Sequence, residues 1–330
     1  MAGHESYSYT LKYQYTHKYN FYTIGNPEFN NAITMSDMNS YTQEHSMESF
    51  FGRVNYDFDN KYYLSASIRS DESSKFHPDH RRGTFWSVGG SWRLTQEEFL
   101  KDVEWLSNLK LKASYGTQGN DGILDINGYV VYQPYLKQYS VTNNNGDFSV
   151  VETYRGNKDL TWEKSKNLNI GLEAAFLNNR LNVSFDAYIR DTKDMLMAGK
   201  TLPGVYGASS PRMNVADLRT KGWEASITWG DSFTLASKPF NYRIMAGIGD
   251  NTSKVTKYDN PNRTLTDPYE GQQLGEIWGY VVDGYFKTDE EARNYKVDQS
   301  FVNQMINASA LDNGLHAGDL KFVDLDGNNK

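Results

Sequence analysis

The end of the sequence contains the clearest cation-binding pattern. Asp324, Asp326 and Asn328 occupy the first, third and fifth positions of a calcium-loop spacing, which would place three oxygen ligands around one hard cation. Asn329 stands where such loops have their sharp-turn glycine, and the bidentate glutamate of the pattern would lie beyond Lys330. A polar turn is the alternative interpretation of this run. We predict calcium as the one candidate cofactor.

Other residue types that could do chemistry form weaker patterns. His77 and His80 flank Pro78, which prevents the helical spacing of a metal-binding pair, and a solvated loop fits them better. Asp191 and Asp194 could imitate the two carboxylates of a glycosidase, but the entrance of a loop is the simpler interpretation. No G-x-S-x-G motif occurs. Nucleophilic catalysis therefore has no positive support in the sequence.

Aromatic side chains in polar segments are the other candidate binding groups. Trp278, Tyr280 and Tyr285 could present flat faces to sugar rings or to peptide side chains. Packing of long loops against one another would require the same residue types. We predict these three residues as ligand-binding residues and leave the packing role open.

The composition of the chain restricts the elements that could position these groups. Among 330 residues, 14% are aromatic and 38% are hydrophobic, so the chain is polar but too aromatic for a disordered protein. There is no cysteine, which excludes disulfides, thiolate metal sites and a cysteine nucleophile. No run reaches the ~18 apolar residues of a membrane-spanning helix. The net charge of −7 argues against nucleic acid as a partner.

Alternation of apolar and polar residues dominates the sequence and predicts β-strands. Asp59-Asn60 and Asn178-Asn179 are turn signals between alternating runs. The two hairpins predicted in this way are 50–58 with 62–69 and 168–176 with 181–190. Further single strands are predicted at 7–15, 86–94, 109–115, 223–229 and 240–248. The one helical pattern covers 289–310 and is expected inside a loop.

The connections predict which kind of β-protein this is. Some are two or three residues long, and others are long and polar: 24–47, 70–83, 116–160, 191–218, 250–275 and 287–330. Apolar strand faces end in Trp or Tyr, and the opposite faces carry charges. Short turns at one end, long loops at the other and aromatic girdles are typical of an outer-membrane barrel. A soluble sandwich, jelly roll or solenoid remains the alternative.

Several runs resemble the SusC/RagA family of TonB-dependent outer-membrane transporters. The similarity covers about residues 48–330 in the family's order, although Trp86 replaces a common proline and Arg82 a common aromatic residue. The matching runs are FGRVNYDF at 51–58, YYLSASIR at 62–69, WLSNLKLKASYG at 105–116, KGWE at 221–224 and GYVVDGYF at 279–286.

The resemblance implies an all-β fold, an antiparallel transmembrane β-barrel with long extracellular loops, of which residues 1–330 form a part. Such barrels have about 22 strands. We expect the plug domain and the final strands to lie outside this chain. The implied function is import of oligosaccharides or peptides across the outer membrane, with a SusD-like surface lipoprotein as partner and TonB acting on the plug. Because the proton gradient of the inner membrane would drive such import, the resemblance also implies that the protein is not an enzyme. The alternatives are a non-transporting outer-membrane barrel, such as an adhesin or a hydrolase, and a soluble glycan-binding β-sandwich.

Overall fold

The computed structural model describes residues 1–124, 128, 130–144, 146–200, 203–207, 210–299 and 315–328. Strands account for most of these described residues, which contain one short α-helix, α1 (Asp289–Arg293). The strands are β1 (Ala2–Phe21), β2 (Ala32–Phe58), β3 (Tyr62–Ser73), β4 (Arg82–Arg93), β5 (Leu106–Asn120), β6 (Gln138–Asn144), β7 (Asp147–Tyr154), β8 (Glu163–Phe176), β9 (Leu181–Ala198), β10 (Arg212–Leu235), β11 (Lys238–Lys257), β12 (Val282–Tyr285) and β13 (Leu320–Phe322). Among the described residues, no helix is long and apolar enough to cross a membrane.

Nine strands form one antiparallel sheet in the order β1-β2-β3-β4-β5-β8-β9-β10-β11. The hairpin β6–β7 is inserted in the long connection between β5 and β8 and pairs separately, as do β12 and β13. The chain divides into two compact units, residues 1–274 with the large sheet and residues 275–330. The predicted all-β, antiparallel architecture is confirmed.

Tight turns connect the strands at one end of the large sheet, which we call the turn end. Asp59 and Asn60 adopt φ values of +56° and +51° between β2 and β3. Asn178 and Asn179, at +56° and +64°, do the same between β8 and β9. Asn and Asp tolerate this left-handed conformation, which two-residue hairpin turns require. Both predicted turns are therefore confirmed.

The two faces of the large sheet differ in polarity because successive side chains on a strand point to opposite sides. One face, the outer face, carries apolar residues along the strands from β2 to β11 and is exposed: Val54 is 68% accessible. The inner face carries Ser, Gly, Asn and charged residues. Cross-strand pairing joins outer-face residues into a row running Val54, Ala66, Val88, Tyr115, Leu168, Ile189 and Lys221.

Aromatic residues border the apolar part of the outer face, which we call the apolar band. At the turn end the rings of Tyr62 and Trp92 stack at 6.3 Å between centroids. At the opposite, loop end, Trp86 meets Tyr115 edge-on at 5.6 Å. These are the aromatic borders that the sequence predicted, and rings of this kind are typical of the two interfaces of a membrane barrel.

The strands extend further into the predicted loops than expected. The prediction that 24–47 is a loop is wrong, because β2 begins at Ala32 and pairs with β1 throughout. The other predicted loops also contain strand residues: β3 to Ser73, β5 to Asn120, the hairpin β6–β7, β9 to Ala198, β10 from Arg212 and β11 to Lys257. Most of these segments lack a regular alternation of apolar and polar residues, which is why the sequence predicts them as loops.

The predicted helix over 289–310 is mostly wrong where it can be compared. Helix α1 ends at Arg293, and residues 294–299 are not helical. Its first turn is fixed by Thr288, whose side chain accepts a hydrogen bond from the Glu291 N–H at 3.1 Å. The remaining positions, 300–310, lie outside the described residues.

Candidate functional site

The inner face of the large sheet is a polar wall joined by ion pairs between strands. Lys112 on β5 lies 3.1 Å from a Glu173 oxygen on β8 and 3.0 Å from an Asp186 oxygen on β9. Lys110 adds a contact of 3.7 Å to Glu173. All four side chains remain partly accessible, so these pairs contribute little to stability. They provide a surface of mixed charge in contact with water.

Arg69 organises a second group on the inner face near β1 and β2. Its Nε donates to Asp71 Oδ1 at 2.5 Å, and its Nη2 donates to Glu5 at 3.0 Å and to the buried Ser49 hydroxyl at 2.9 Å. The guanidinium also lies 5.5 Å from the centre of the Phe51 ring. This arginine therefore connects β1, β2 and β3 on the charged face that the sequence predicts opposite the apolar one.

At the loop end, the chain builds the apolar core of the first unit. Trp162 is 3% accessible and packs against Phe76 and Phe85 with ring centroids 5.3 and 5.4 Å away. Its indole N–H donates to the Arg81 carbonyl at 2.8 Å. Gly119 lies against the Phe85 ring, where any Cβ would overlap it. Ile123 and Leu160 complete this loop-end core.

A charged group joins the segments beside the loop-end core. Asp121 accepts from the Ser73 hydroxyl at 2.7 Å and pairs with Lys75 Nζ at 3.3 Å and His45 Nε2 at 3.5 Å. Burial lowers the pKa of His45, and the nearby Lys75 ammonium lowers it further, against the opposing effect of Asp121. The neutral imidazole is thus favoured in the folded protein.

This group includes Ser, His and Asp but does not have the properties of a hydrolytic triad. A nucleophilic serine must be accessible and must give its proton to the imidazole. Ser73 is fully buried, and its hydroxyl donates to Asp121. We conclude that these residues fasten the loop end together.

The hairpin β1–β2 continues past the point where β2 stops pairing with β3, at Met47 and Ser73. We call residues 7–21 and 32–47 the hairpin extension. A row of rings lies on its inner side: Tyr13 stacks on Tyr41 at 4.8 Å between centroids, and Tyr9 stacks on Tyr132 at 6.1 Å. This aromatic row prolongs the polar inner wall beyond the loop end of the sheet.

The candidate calcium ligands lie in a polar turn after β13. Asp324 Oδ1 accepts from the N–H of Gly327 at 2.8 Å and of Asp326 at 3.2 Å. Asp326 in turn accepts from the side-chain amide of Asn328 at 2.9 Å. The turn thus brings the three predicted ligands together, while Asn329 lies outside the described residues. The calcium site stays a prediction.

The predicted ligand-binding aromatics lie in the second unit and differ in their surroundings. Tyr280 packs its ring 5.0 Å from that of Phe322. Trp278 donates its indole N–H to Glu276 at 3.0 Å and is 62% accessible, and Tyr285 on β12 is 66% accessible. The exposed pair Trp278 and Tyr285 stays a prediction of ligand contact, and Tyr280 also has the packing role.

The weaker candidates of the sequence have simple structural roles. Asp191 forms two hydrogen bonds with the Arg219 guanidinium, at 2.6 and 2.9 Å. The Asp194 backbone N–H donates to Asp217. His77 caps the turn that contains His80. Within the described ranges, no group of three or more His, Asp or Glu side chains is placed to hold a metal ion.

Sequence reasoning missed the loop-end core and its charged group. The partners come from segments far apart in the chain: Phe76 meets Trp162, and His45 meets Asp121. Phe76, an aromatic residue inside the predicted polar loop 70–83, is the one available signal. The aromatic alternation predicts β1, but much of its partner strand β2 lies in the segment 24–47 that the sequence predicts as a loop.

Comparison with known proteins identifies the sheet. A family model described as "TonB dependent receptor-like, beta-barrel" matches residues 2–312. The chain belongs to this family. TonB-dependent receptor P39 of Formosa agariphila is 31% identical over 91% of this chain, and SusC of Bacteroides thetaiotaomicron is 33% identical over 68%. The family match therefore decides for the TonB-dependent receptor barrel and against the soluble β-sandwich, which the alternation of residues alone leaves open.

Solved structures agree with this assignment of the TonB-dependent barrel. The RagAB peptide transporter matches 88% of the chain with a TM-score of 0.71 and 28% identity, and the "closed-closed" state of the RagAB peptide importer reaches 0.74. The chain spans about a third or less of these relatives, 30% of P39 and 32% of the RagAB chain. The nine-stranded sheet is accordingly part of a barrel, and the predicted membership in the SusC/RagA group is confirmed.

Proposed function

We propose that this chain forms part of an outer-membrane, TonB-dependent importer of oligosaccharides or peptides that works with a SusD-like surface lipoprotein. The observation that carries the proposal is the division of the large sheet into an apolar outer face and a charged inner face, in a chain of this family. The outer face would contact lipid, and the inner face would line the path of the substrate.

The inner wall supports a polar substrate without a strong excess of one charge. Cations and carboxylates alternate across it, as at Lys112 with Glu173 and Asp186 and at Arg69 with Glu5 and Asp71. A wall lined by one sign of charge would select substrates of the opposite sign. Oligosaccharides and peptides of mixed composition suit the observed pattern.

The hairpin extension supports capture at the cell surface. In the proposed orientation the loop end faces outward, so the row formed by Tyr9, Tyr13 and Tyr41 would be met before the inner wall. Tyrosine rings combine a flat apolar face with a hydroxyl, which suits both sugar rings and peptide side chains. A SusD-like lipoprotein would close over this end and hold the substrate against it.

The energy for import would come from TonB acting on a plug domain, so no bond of the substrate needs to break. The solved relatives are described as a peptide transporter and importer, and SusC and P39 as TonB-dependent receptors. These descriptions support a transporter that is not an enzyme and that resides in the cell outer membrane.

Uptake by cells tests the proposal. A strain that lacks the full-length gene is complemented with the natural gene, and accumulation of a labelled peptide mixture and a labelled oligosaccharide mixture is measured. We expect accumulation of one mixture, and its loss when TonB is deleted or the proton gradient is collapsed. Accumulation that persists without TonB would contradict the proposal. Normal adhesion with no uptake of either mixture would favour the non-transporting barrel.

A variant of the hairpin extension tests the route of the substrate. Tyr13→Ser together with Tyr41→Ser should raise the substrate concentration needed for half-maximal uptake, because the stacked pair is removed. Lys12→Ser together with Thr42→Ser changes the opposite face of the same hairpin and should leave uptake unchanged. Equal behaviour of the two variants would show that the aromatic row does not contact the substrate.

A further inference from the structure

The outer face of β8 to β11 carries a concentration of basic side chains just beyond the apolar band. We call this group the basic margin. It consists of Lys164, Lys166, Lys193, Arg219, Lys221, Lys254 and Lys257. All of them lie on the loop-end side of the outer-face apolar residues Leu168, Ile189, Trp223 and Ile248.

Strand pairing makes the basic margin a continuous surface. Lys166 pairs with Asp191, Asp191 with Arg219, and Arg219 with Lys254, so one row crosses four neighbouring strands. Lys221 begins the row below, beside Ile189. Neighbouring strands are about 4.8 Å apart, so the row spans roughly 14 Å. This width fits a headgroup that carries more than one phosphate.

The seven basic side chains outnumber the carboxylates that pair with them. Asp191 pairs with Arg219, and Asp217 pairs with Lys193 at 2.9 Å. The other five basic residues form no ion pair with any described residue. Those five are Lys164, Lys166, Lys221, Lys254 and Lys257, and each is exposed. The surface therefore has a clear excess of positive charge in a chain whose net charge is −7.

The same level of the sheet has the opposite character on β2 to β4. There, the outer face beyond the apolar band carries Glu44, Glu48 and Glu72. Arg82 is the basic residue of this side, and it pairs with Glu72. If every strand simply carried basic residues at the loop-end border of the band, β2 to β4 would be basic as well. The basic margin is thus a local feature of β8 to β11.

Its position indicates which anion it meets. In a membrane barrel, lipid acyl chains cover the apolar band, and the headgroups of the same lipids lie at the border of that band. Lys221 is one row beyond Trp223, at the level where the headgroups begin. Lysine side chains place their ammonium groups at such a border while their methylene stems remain on apolar surface.

We propose that the basic margin binds the phosphate groups of outer-leaflet lipid whose acyl chains cover the apolar band on β8 to β11. The inference rests on the proposed function for one point, the outward orientation of the loop end. Bound lipid would neutralise the five unpaired lysines. It would also place an ordered headgroup on one side of the barrel and leave the acidic side without one.

Lipid retention tests the proposal with the full-length protein in nanodiscs. The nanodiscs contain phosphatidylcholine with a minor fraction of lipid A that carries both phosphates or has been dephosphorylated. The variant is Lys166→Gln, Lys221→Gln, Lys254→Gln. The matched control removes three lysines elsewhere: Lys12→Gln, Lys101→Gln, Lys238→Gln. Lipid that remains after detergent exchange is quantified by mass spectrometry.

The natural protein and the control should retain phosphorylated lipid A in preference to the dephosphorylated form. The variant should retain at most about one tenth as much phosphorylated lipid A, because basic side chains near an anionic surface attract it jointly. Millimolar inorganic phosphate should not displace the lipid from the natural protein. Equal retention by variant and control, or equal retention of the two lipids, would overturn the proposal, and displacement by inorganic phosphate would show a simple anion site.

The result is independent of the uptake test. Retained lipid with no TonB-dependent uptake would contradict the proposed function and leave the lipid site standing. Normal uptake by the lysine variant with unchanged lipid would contradict the lipid site alone. Heat-modifiable migration of all variants, compared with the natural protein, checks that each barrel has folded.

Discussion

The apolar side chains of the apolar band and those of the loop end differ in what covers them. In the band, Val54 remains 68% accessible and Ile170 57% accessible, since the protein itself does not cover the outer face. At the loop end, Phe76 and Leu160 are completely buried by neighbouring segments of the same chain. The band therefore depends on lipid to cover its apolar surface, and the loop end has a core like that of a soluble protein.

The difference is visible along a single strand. On the turn-end side of Glu48, the outer face of β2 carries Phe50, Val54 and Phe58, and beyond Glu48 it carries polar residues such as Thr42. The aromatic residues of the hairpin extension lie on the inner side instead. The apolar and aromatic residues thus move from the outer face to the inner face at the level where the surroundings change from hydrocarbon to water.

The largest expected effect concerns the loop-end core. Trp162→Ala removes the ring between Phe76 and Phe85 and leaves the Arg81 carbonyl without its indole donor. We expect a loss of about 3–5 kcal/mol in the stability of the loop end, as for other buried aromatic residues. Hydrogen exchange of the segments around Phe76 and Leu160 measures it.

The matched control is Trp278→Ala, because Trp278 is 62% accessible. It should leave hydrogen exchange at the loop end unchanged. Slow exchange that persists around Phe76 in the Trp162 variant would show that the loop end is not held by its core, and the comparison with the apolar band would fail.

The second effect concerns the apolar band. Val54→Arg places a charge in the middle of the outer face of β2 and should destabilise the membrane-inserted barrel by about 2–4 kcal/mol. Thr42→Arg makes the same type of change on the outer face of the hairpin extension. It should have no measurable effect, because that face meets water. Denaturant titration of the refolded full-length barrel in lipid vesicles compares the two.

The smallest effect is a pH dependence at the loop end. Burial and Lys75 lower the pKa of His45 below its ordinary value of 6.5, so the unfolded chain binds a proton more readily than the folded one. The stabilising contribution of neutral His45 is therefore complete above pH 6.5. It is lost as the pH falls from there through the lower pKa of the folded state. Asp121, Lys75 and the rings of Tyr7 and Tyr132 surround the imidazole.

Hydrogen exchange of the loop end at a series of pH values, corrected for the intrinsic rate, measures this dependence. His45→Gln should remove it, and His17→Gln on the hairpin extension should not. The same pH profile in the natural protein and in the His45 variant would assign the dependence to another group.

Local signals predicted the strands and turns of the band well. Alternation identified β3, β8 and β9, and Asp59-Asn60 marked a turn because those residue types tolerate positive φ. The turn at Ala236 and Ser237 has the same positive φ values but contains neither Asn, Asp nor Gly, so the sequence does not predict it.

The loop end could not be predicted in the same way. The loop-end part of β2 lacks a regular alternation, since neighbouring residues such as Thr42 and Gln43 are both polar, and the apolar pattern of the band stops where the chain leaves the membrane. The loop-end core depends on pairs such as Phe85 with Trp162, which are distant in sequence. The basic margin has a similar origin, because Lys166 and Lys254 become neighbours only through the pairing of four strands.

The row of paired residues that begins at Val54 has a geometric consequence. On β2 the row passes through Val54, four residues inside the loop-end border of the apolar band at Phe50. On β10 the same row passes through Lys221, two residues outside the border at Trp223. The border thus shifts by about one residue, or ~3.3 Å, for each strand spacing of ~4.8 Å. This slope corresponds to strands inclined by roughly 35° to the membrane normal, within the range of transmembrane barrels. The stagger that closes a barrel is already present in this part of its wall.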